Sequence, residues 1–230
     1  MSKKNKLQHF AENATFDNLF QLKYEEVILG FPLKGQWSNN FFKNDHEIVI
    51  ELGCGKGEYT VGLAKRFPDK NFIGADIKGA RLWRGLKTTQ EENIKNAAFI
   101  RTRINLIEYY FNPHELSEIW ITFPDPHARD VATRKRLTSP QFLQRYHSLL
   151  KPGGIIHLKT DNIIFLEYTL DVIKEFGHEI LELNYDIYGS GIDNELTQIQ
   201  THYEKMWLKH GTKIKYLKFR LNDAAFNTTD

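Results

Sequence analysis

Glu51-Leu52-Gly53-Cys54-Gly55-Lys56-Gly57-Glu58 is the stretch on which the architecture turns. It follows a short apolar, β-branched run over residues 48–52 and leads at once into an amphipathic stretch over 58–66, so the glycines fall at a strand-to-helix turn. Glycine lets the chain bend tightly there and leaves no Cβ between the backbone and a ligand. The spacing is G-x-G-x-G, not the G-x-G-x-x-G expected around a dinucleotide pyrophosphate. Glu51, placed just ahead of the glycines, would repel a diphosphate and attract a sulfonium or an amino group.

The same alternation continues outward from that turn. Strands are expected over residues 48–52, 71–76, 97–101, 118–123, 154–160, 179–185 and 213–221, and helices over 58–66, 79–93, 140–150, 163–176 and 195–210. Thr138-Ser139-Pro140 reads as a cap with proline in the first turn, and Lys151-Pro152-Gly153-Gly154 as the stop and turn after that helix. Strand, helix, strand in succession predicts an α/β fold: a mostly parallel sheet with helices on both faces and a ligand off the carboxyl ends of the strands. The first 45 residues fit no such unit. They are expected to form an N-terminal extension, 1–45, packed near that same edge, ahead of the α/β domain over 46–230.

Composition sets limits on function. With one cysteine among 230 residues, no intrachain disulfide or cysteine-built zinc cage can form. The nine histidines show no metal-ligand spacing, so no metal is expected. Apolar runs fall short of a membrane span, and no apolar segment follows Lys3, Lys4 and Lys6, which points to a cytoplasmic protein without a membrane partner. The 31 Lys and Arg nearly cancel the 29 Asp and Glu, and a net charge of +2 says nothing about where either set lies.

Asp76 ends the expected 71–76 strand, where a ribose diol needs a carboxylate acceptor. Together with the glycine turn and Glu51 it resembles the class I, S-adenosylmethionine-dependent methyltransferases. A structural turn with Asp76 capping the next helix is the plainer alternative. Cys54, between two glycines and without a neighbouring base, reads as a small filler and not a nucleophile.

On the other side of the expected site, Ile121-Thr122-Phe123-Pro124-Asp125-Pro126 closes a strand with a stiff loop that holds one carboxylate between two prolines. Arg129, Arg134, Lys135 and Arg136 follow, a basic run read as phosphate-contacting, with a solvated loop as the alternative. Leu158-Lys159-Thr160-Asp161-Asn162 brings a second carboxylate to the end of another strand, where Asp161 either faces a ligand or caps the next helix. Thr201 and Glu204, three apart in a helical pattern, share a face and so could point at one ligand.

These segments together resemble the bacterial tRNA (guanine-N7-)-methyltransferases, from about residue 31 to residue 221. The matching stretches are FFKNDHEIVIELGCGKGEY, FIGADIKGARLWRG, IWITFPDPHARDVATRKRLTSPQFLQRYHSLLKPGG, LKTDN and THYEKMWLKHGTKIKYLKF. The first is common to many methyltransferases, whereas F-P-D-P, L-K-T-D-N and T-x-Y-E in that order are far more specific. The resemblance implies a Rossmann-like fold with a seven-stranded, mostly parallel sheet and an antiparallel last strand. It implies methyl transfer from S-adenosylmethionine to N7 of the guanosine at position 46 in the variable loop of tRNA. It places cofactor contacts on Glu51, Gly53, Gly55, Gly57, Asp76, Asn105 and Asp125, with Asp125 also catalytic. It places substrate contacts on Arg129, Asp161, Thr201 and Glu204. The family usually reads P-W-P-K-K-R-H after the aspartate, but this chain has Pro126-His127-Ala128-Arg129-Asp130-Val131-Ala132. His127 either stacks on a base or is an ordinary exposed loop histidine. A small-molecule or protein methyltransferase, or an RNA-binding module that has lost catalysis, are the competing readings. The oligomer, monomer or homodimer, is not legible in the sequence.

Overall fold

Buried β-branched segments alternating with amphipathic ones give eight strands and eight α-helices among the described residues. The structure, a computed structural model, describes residues 3–127 and 130–226. The chain divides into two compact units, Met1–Asn112 and Pro113–Asp230.

The first unit runs α1 (Lys3–Asn13), β1 (Leu19–Phe20), α2 (Tyr24–Leu29), β2 (Glu47–Leu52), α3 (Glu58–Arg66), β3 (Lys70–Asp76), α4 (Gly79–Glu91) and β4 (Ala97–Arg101). Its strands lie in the order β1-β4-β3-β2, all parallel. Every residue of β2 except Glu47 is buried. Such a strand reads as a continuous apolar run because both faces are covered. The segment expected as an extension contributes to this unit. α1 lies on α4, where Asn13 Nδ2 donates to Gly79 O at 2.8 Å and the His9 ring stacks on Trp83 at 3.8 Å. The Phe99 amide of β4 donates to Asn18 O at 2.8 Å beside the two-residue β1, so eight strands are present where seven were expected. A strand of two residues is too short to show any alternation in sequence. Beyond it, Trp37 is fully buried among Phe20, Phe31, Phe41 and Phe111, and its indole donates to Tyr110 O at 3.0 Å.

The second unit runs β5 (Leu116–Thr122), α5 (Pro140–Leu149), β6 (Leu150–Thr160), α6 (Ile163–Phe176), β7 (Glu179–Asn184), α7 (Glu195–Gln198), α8 (His202–Lys209) and β8 (Lys215–Arg220). Its strands lie in the order β5-β6-β8-β7. β5 and β6 are parallel, and β8 is antiparallel to both its neighbours. Two expectations need correction here. Residues 151–154 do not end a helix with a free turn. The pairing jumps from Leu116–Leu150 to Glu118–Ile155, so these residues form a bulge within β6, with Gly153 at φ +78°. Turn-forming residues serve a bulge equally well, because both need a positive φ and an unpaired stretch. The single helix expected over 195–210 is two, because Ile199 and Thr201 are extended and Thr201 starts a new helix as its N-cap.

Candidate active site

In the first unit the glycine turn is fastened at both ends. Gly53 N and Cys54 N both donate to Ala75 O, at 2.8 and 3.1 Å, and Gly57 N donates to Cys54 O at 2.8 Å. Gly53, Gly55 and Gly57 all have positive φ, 77°, 58° and 68°. Their surroundings differ. A Cβ on Gly57 would lie 2.6 Å from Phe99 Cε1, whereas one on Gly53 or Gly55 would meet nothing nearer than 3.9 Å. Gly57 is therefore required by packing against β4, while Gly53 and Gly55 leave open space beside the backbone. Asp76 stands across this turn. Its Oδ2 accepts from Gly55 N at 2.9 Å and its Oδ1 from Lys78 N at 2.7 Å, which leaves further lone pairs on both oxygens. Glu51, 3% exposed, accepts from the Thr60 amide at 2.8 Å and from the Thr60 hydroxyl. Its charge is thus set against the amide-rich first turn of α3, where a carboxylate is favoured. Asn105 is exposed on the 3₁₀ turn Ile104–Tyr109 after β4, and its neighbour Ile104 is the side chain nearest to Gly53. The exposed Ile77 and Arg103, with Thr102 and Lys23, line an open cavity of about 550 Å³ at the ends of β3, β4 and β1. Cys54 is buried. Burial first, then Glu51 and Asp76, push its thiol well above the usual value, which suits a filler and not a nucleophile.

In the second unit the strand-end loop is held from behind. Phe123 and His127 flank Pro124-Asp125-Pro126, and both are non-glycine residues with positive φ, 49° and 42°. Each such residue costs about 1–2 kcal/mol, so the loop needs outside support. Phe123 N donates to Lys159 O at 2.8 Å. Arg136 donates from Nε to Pro126 O at 3.0 Å and from Nη2 to His127 O at 3.3 Å, with its guanidinium 4.3 Å from the centre of the Tyr168 ring. Asp125 has its side chain 76% exposed; it accepts from His127 N at 3.1 Å, and the His127 ring Nδ1 lies 3.8 Å from the same oxygen. Asp161 follows β6 and is partly buried. Burial raises its carboxyl above the ordinary value, against the opposing pull of a backbone hydrogen bond and the Lys215 ammonium. It does not cap α6, because Asn162 does, accepting from Phe165 N at 2.8 Å. Thr201 and Glu204 form a capping box with each other. Glu204 is fully buried and its carboxylate meets Lys159 Nζ at 2.7 Å and the Tyr188 hydroxyl at 2.8 Å. Arg129 lies outside the described residues.

The family model and the most similar named relatives agree on one family. Residues 45–217 match the family described as "Putative methyltransferase". A tRNA (guanine-N(7)-)-methyltransferase of Christiangramia forsetii is 56% identical, covering 96% of this chain and all of that protein. One from Porphyromonas gingivalis is 49% identical, covering 91% of this chain and 86% of its own length. The chain belongs to the tRNA (guanine-N(7)-)-methyltransferase family. Among solved structures, the 16S rRNA methyltransferase KamB superposes with a TM-score of 0.62 at 12% identity, over 80% of this chain and 92% of that one, which shows a shared fold.

The cofactor of this methyltransferase family is S-adenosylmethionine, and the first unit fits it. Gly53 and Gly55 leave a cradle that a Cβ would enter, and Asp76 has acceptor lone pairs for a diol. Among the described residues no group of three or more His, Cys, Asp or Glu side chains could hold a metal ion, and no helix is long and apolar enough to cross a membrane. Reading the family's motifs in sequence missed three participants. Arg136 belongs to the basic run expected to meet phosphate, but it is 4% exposed and braces the Asp125 loop, so among the described residues of that run Arg134 and Lys135 are the ones that face solvent. Lys159 and Tyr188 escaped notice because a lysine in a strand and a loop tyrosine give no sign of being enclosed. Removing one partner of a buried pair such as Lys159–Glu204 costs about 3–5 kcal/mol.

Proposed function

We propose that this chain transfers a methyl group from S-adenosylmethionine to N7 of a guanosine in tRNA, at position 46 of the variable loop, forming 7-methylguanosine. The observation that carries the reading is the Asp125 loop, an exposed carboxylate on a strained backbone pinned by Arg136 and Lys159. Strain of this kind persists where a group must be held in place. Glu51, Gly53, Gly55, Gly57, Asp76, Asn105 and Asp125 are assigned to the cofactor, and Asp125 is also the catalytic group. Arg129, Asp161, Thr201 and Glu204 belong to the acceptor side. When bound, S-adenosylmethionine supplies an electrophilic methyl group on a sulfonium.

Guanine N7 carries an in-plane lone pair, so no side chain has to remove a proton first, and the work of the protein is positioning. Asp125 and Asp161 accept from guanine N1–H and N2–H₂. They also stabilise the positive charge that develops on the purine as N7 is alkylated. Adenine offers neither pair of donors and would leave both carboxylates unsatisfied. The exposed Arg134 and Lys135 meet the RNA backbone. We place the catalytic domain at residues 46–230 with 1–45 as an N-terminal addition, acting in the cytoplasm as a monomer or homodimer. The deciding experiment is methyl transfer from labelled cofactor to unmodified tRNA followed by nucleoside analysis. Label in 7-methylguanosine is expected, and label in any other nucleoside overturns the reading.

A further inference from the structure

The Thr201–Glu204 motif of this chain does not present its acid to an open site. Glu204 and Lys159 are both fully buried, with Lys159 Nζ 2.7 Å from Glu204 Oε1. The ammonium also donates to the carbonyls of Leu196 and, at 3.4 Å, Ile199, which lie in α7 and at its C-cap, just ahead of the break before α8. Glu204 is filled in the same way. It accepts from the Tyr188 hydroxyl at 2.8 Å and, through its other oxygen, from Thr201 N at 3.3 Å, while Thr201 Oγ1 accepts from Glu204 N at 3.2 Å. A carboxylate with these partners and no exposed surface is poorly placed to receive a guanine edge.

What Lys159 holds is more telling. Its carbonyl accepts the Phe123 amide at 2.8 Å, the first backbone bond of the Asp125 loop, and its ammonium lies 5.9 Å from the centre of the Phe123 ring. Phe123 is itself one of the two left-handed residues that flank the loop. Asp161 stands two residues further along the same chain. Both proposed guanine-facing carboxylates are therefore attached to residue 159.

We infer that Lys159 and Glu204 are positioning residues, and that the Thr201–Glu204 stretch acts on the methyl acceptor through the buried Lys159, which sets the Asp125 loop and Asp161, and not by touching the base. The inference rests on the proposed tRNA reading for its activity assay. Glu204→Gln leaves a buried ammonium without its counter-charge, and Lys159→Met leaves a buried carboxylate. Each is expected to lower kcat for 7-methylguanosine formation by roughly 10- to 100-fold, with little change in KM for tRNA or cofactor. The double variant Lys159→Met/Glu204→Gln has no unpaired buried charge, keeps an amide oxygen for Tyr188 and Thr201, and is expected to regain most of kcat.

A carboxylate that touches guanine predicts another pattern. Glu204→Gln and the double variant would be equally impaired, Lys159→Met would be nearly normal, and KM for tRNA would rise. That pattern overturns the inference. Hydrogen exchange at residues 121–127 supplies a readout independent of turnover. It should quicken in Glu204→Gln and slow again in the double variant, and unchanged exchange in Glu204→Gln overturns the inference as well. If the charge variants do not fold, Tyr188→Phe removes the hydroxyl that donates to Glu204 at 2.8 Å and lies 3.3 Å from Thr197 O, without unpairing a buried charge, and a kcat equal to wild type overturns the positioning role. A wild-type protein that makes no 7-methylguanosine defeats the tRNA reading, while the exchange result still tests the linkage.

Discussion

The glycine turn after β2 and the proline loop after β5 both leave the carboxyl end of a strand and both carry a carboxylate, but they are built in opposite ways. At the glycine turn the acids are enclosed. Glu51 and Asp76 are 3% and 8% exposed, and each spends oxygens on backbone amides of the turn or of the helix that follows. At the proline loop the backbone is the held part and the acid is free to meet solvent. Arg136 and Lys159 grip carbonyls and an amide, and Asp125 projects with its side chain 76% exposed. A small cofactor can be cradled by a backbone shaped by its own acids. A base belonging to a large RNA has to be met by a group standing clear of the surface on a loop that does not yield.

That contrast can be broken at several points. The largest effect is expected from Asp125→Ala, which should reduce 7-methylguanosine formation at least ~100-fold while calorimetric cofactor affinity changes far less. Equal losses in both would mean that the loop belongs to the cofactor side alone. Within the glycine turn, Gly57→Ala forces a Cβ against Phe99, adding about 1–3 kcal/mol of overpacking to the left-handed strain of about 1–2 kcal/mol in denaturant unfolding. Gly55→Ala meets open space and should cost only the left-handed strain of about 1–2 kcal/mol. Cofactor affinity of the folded protein should nevertheless suffer more in Gly55→Ala.

The basic run offers a finer comparison. Arg136→Ala unpins two carbonyls of the loop and should reduce kcat by roughly tenfold without changing the salt dependence of tRNA binding. Lys135→Ala should leave kcat alone and lower the salt slope by about one. The smallest effect concerns Asp161, whose folded carboxyl titrates above its unfolded value because of burial. A raised carboxyl pKa contributes stability below the unfolded value and loses it as pH rises through the folded one. Asp161→Asn should therefore match or exceed wild-type thermal stability at neutral pH, and lose that advantage in acid, while methylation falls. A variant less stable than wild type at neutral pH would give Asp161 a structural role instead.

Much of this was legible along the chain. The strand-to-helix glycine turn, Asp76 at the end of β3, the stiff Asp125 loop and the βα alternation all follow from local rules, because helix and strand periodicity and glycine and proline dihedral preferences act over a few residues. Helices α3 and α6 fall on the expected residues, 58–66 and 163–176, for the same reason. The break between α7 and α8 was hidden, since 195–210 keeps a helical pattern while Thr201 and Glu204 satisfy one another as a cap. The bulge at 151–154 was hidden too, because its residues suit a turn equally well.

The sequence by itself determined which residue types stand at the strand ends, and with them the family and the chemistry. Only the tertiary structure decided which charges face outward. Arg136 and Lys135 are neighbours, and one is enclosed over Tyr168 while the other is solvated. Glu204 and Asp125 are both motif acids, and one is sealed against Lys159 while the other is exposed. Burial of a charge depends on segments remote in sequence closing around it with the right partner, as the 40-odd residues between Lys159 and Glu204 do here, and no local pattern carries that information.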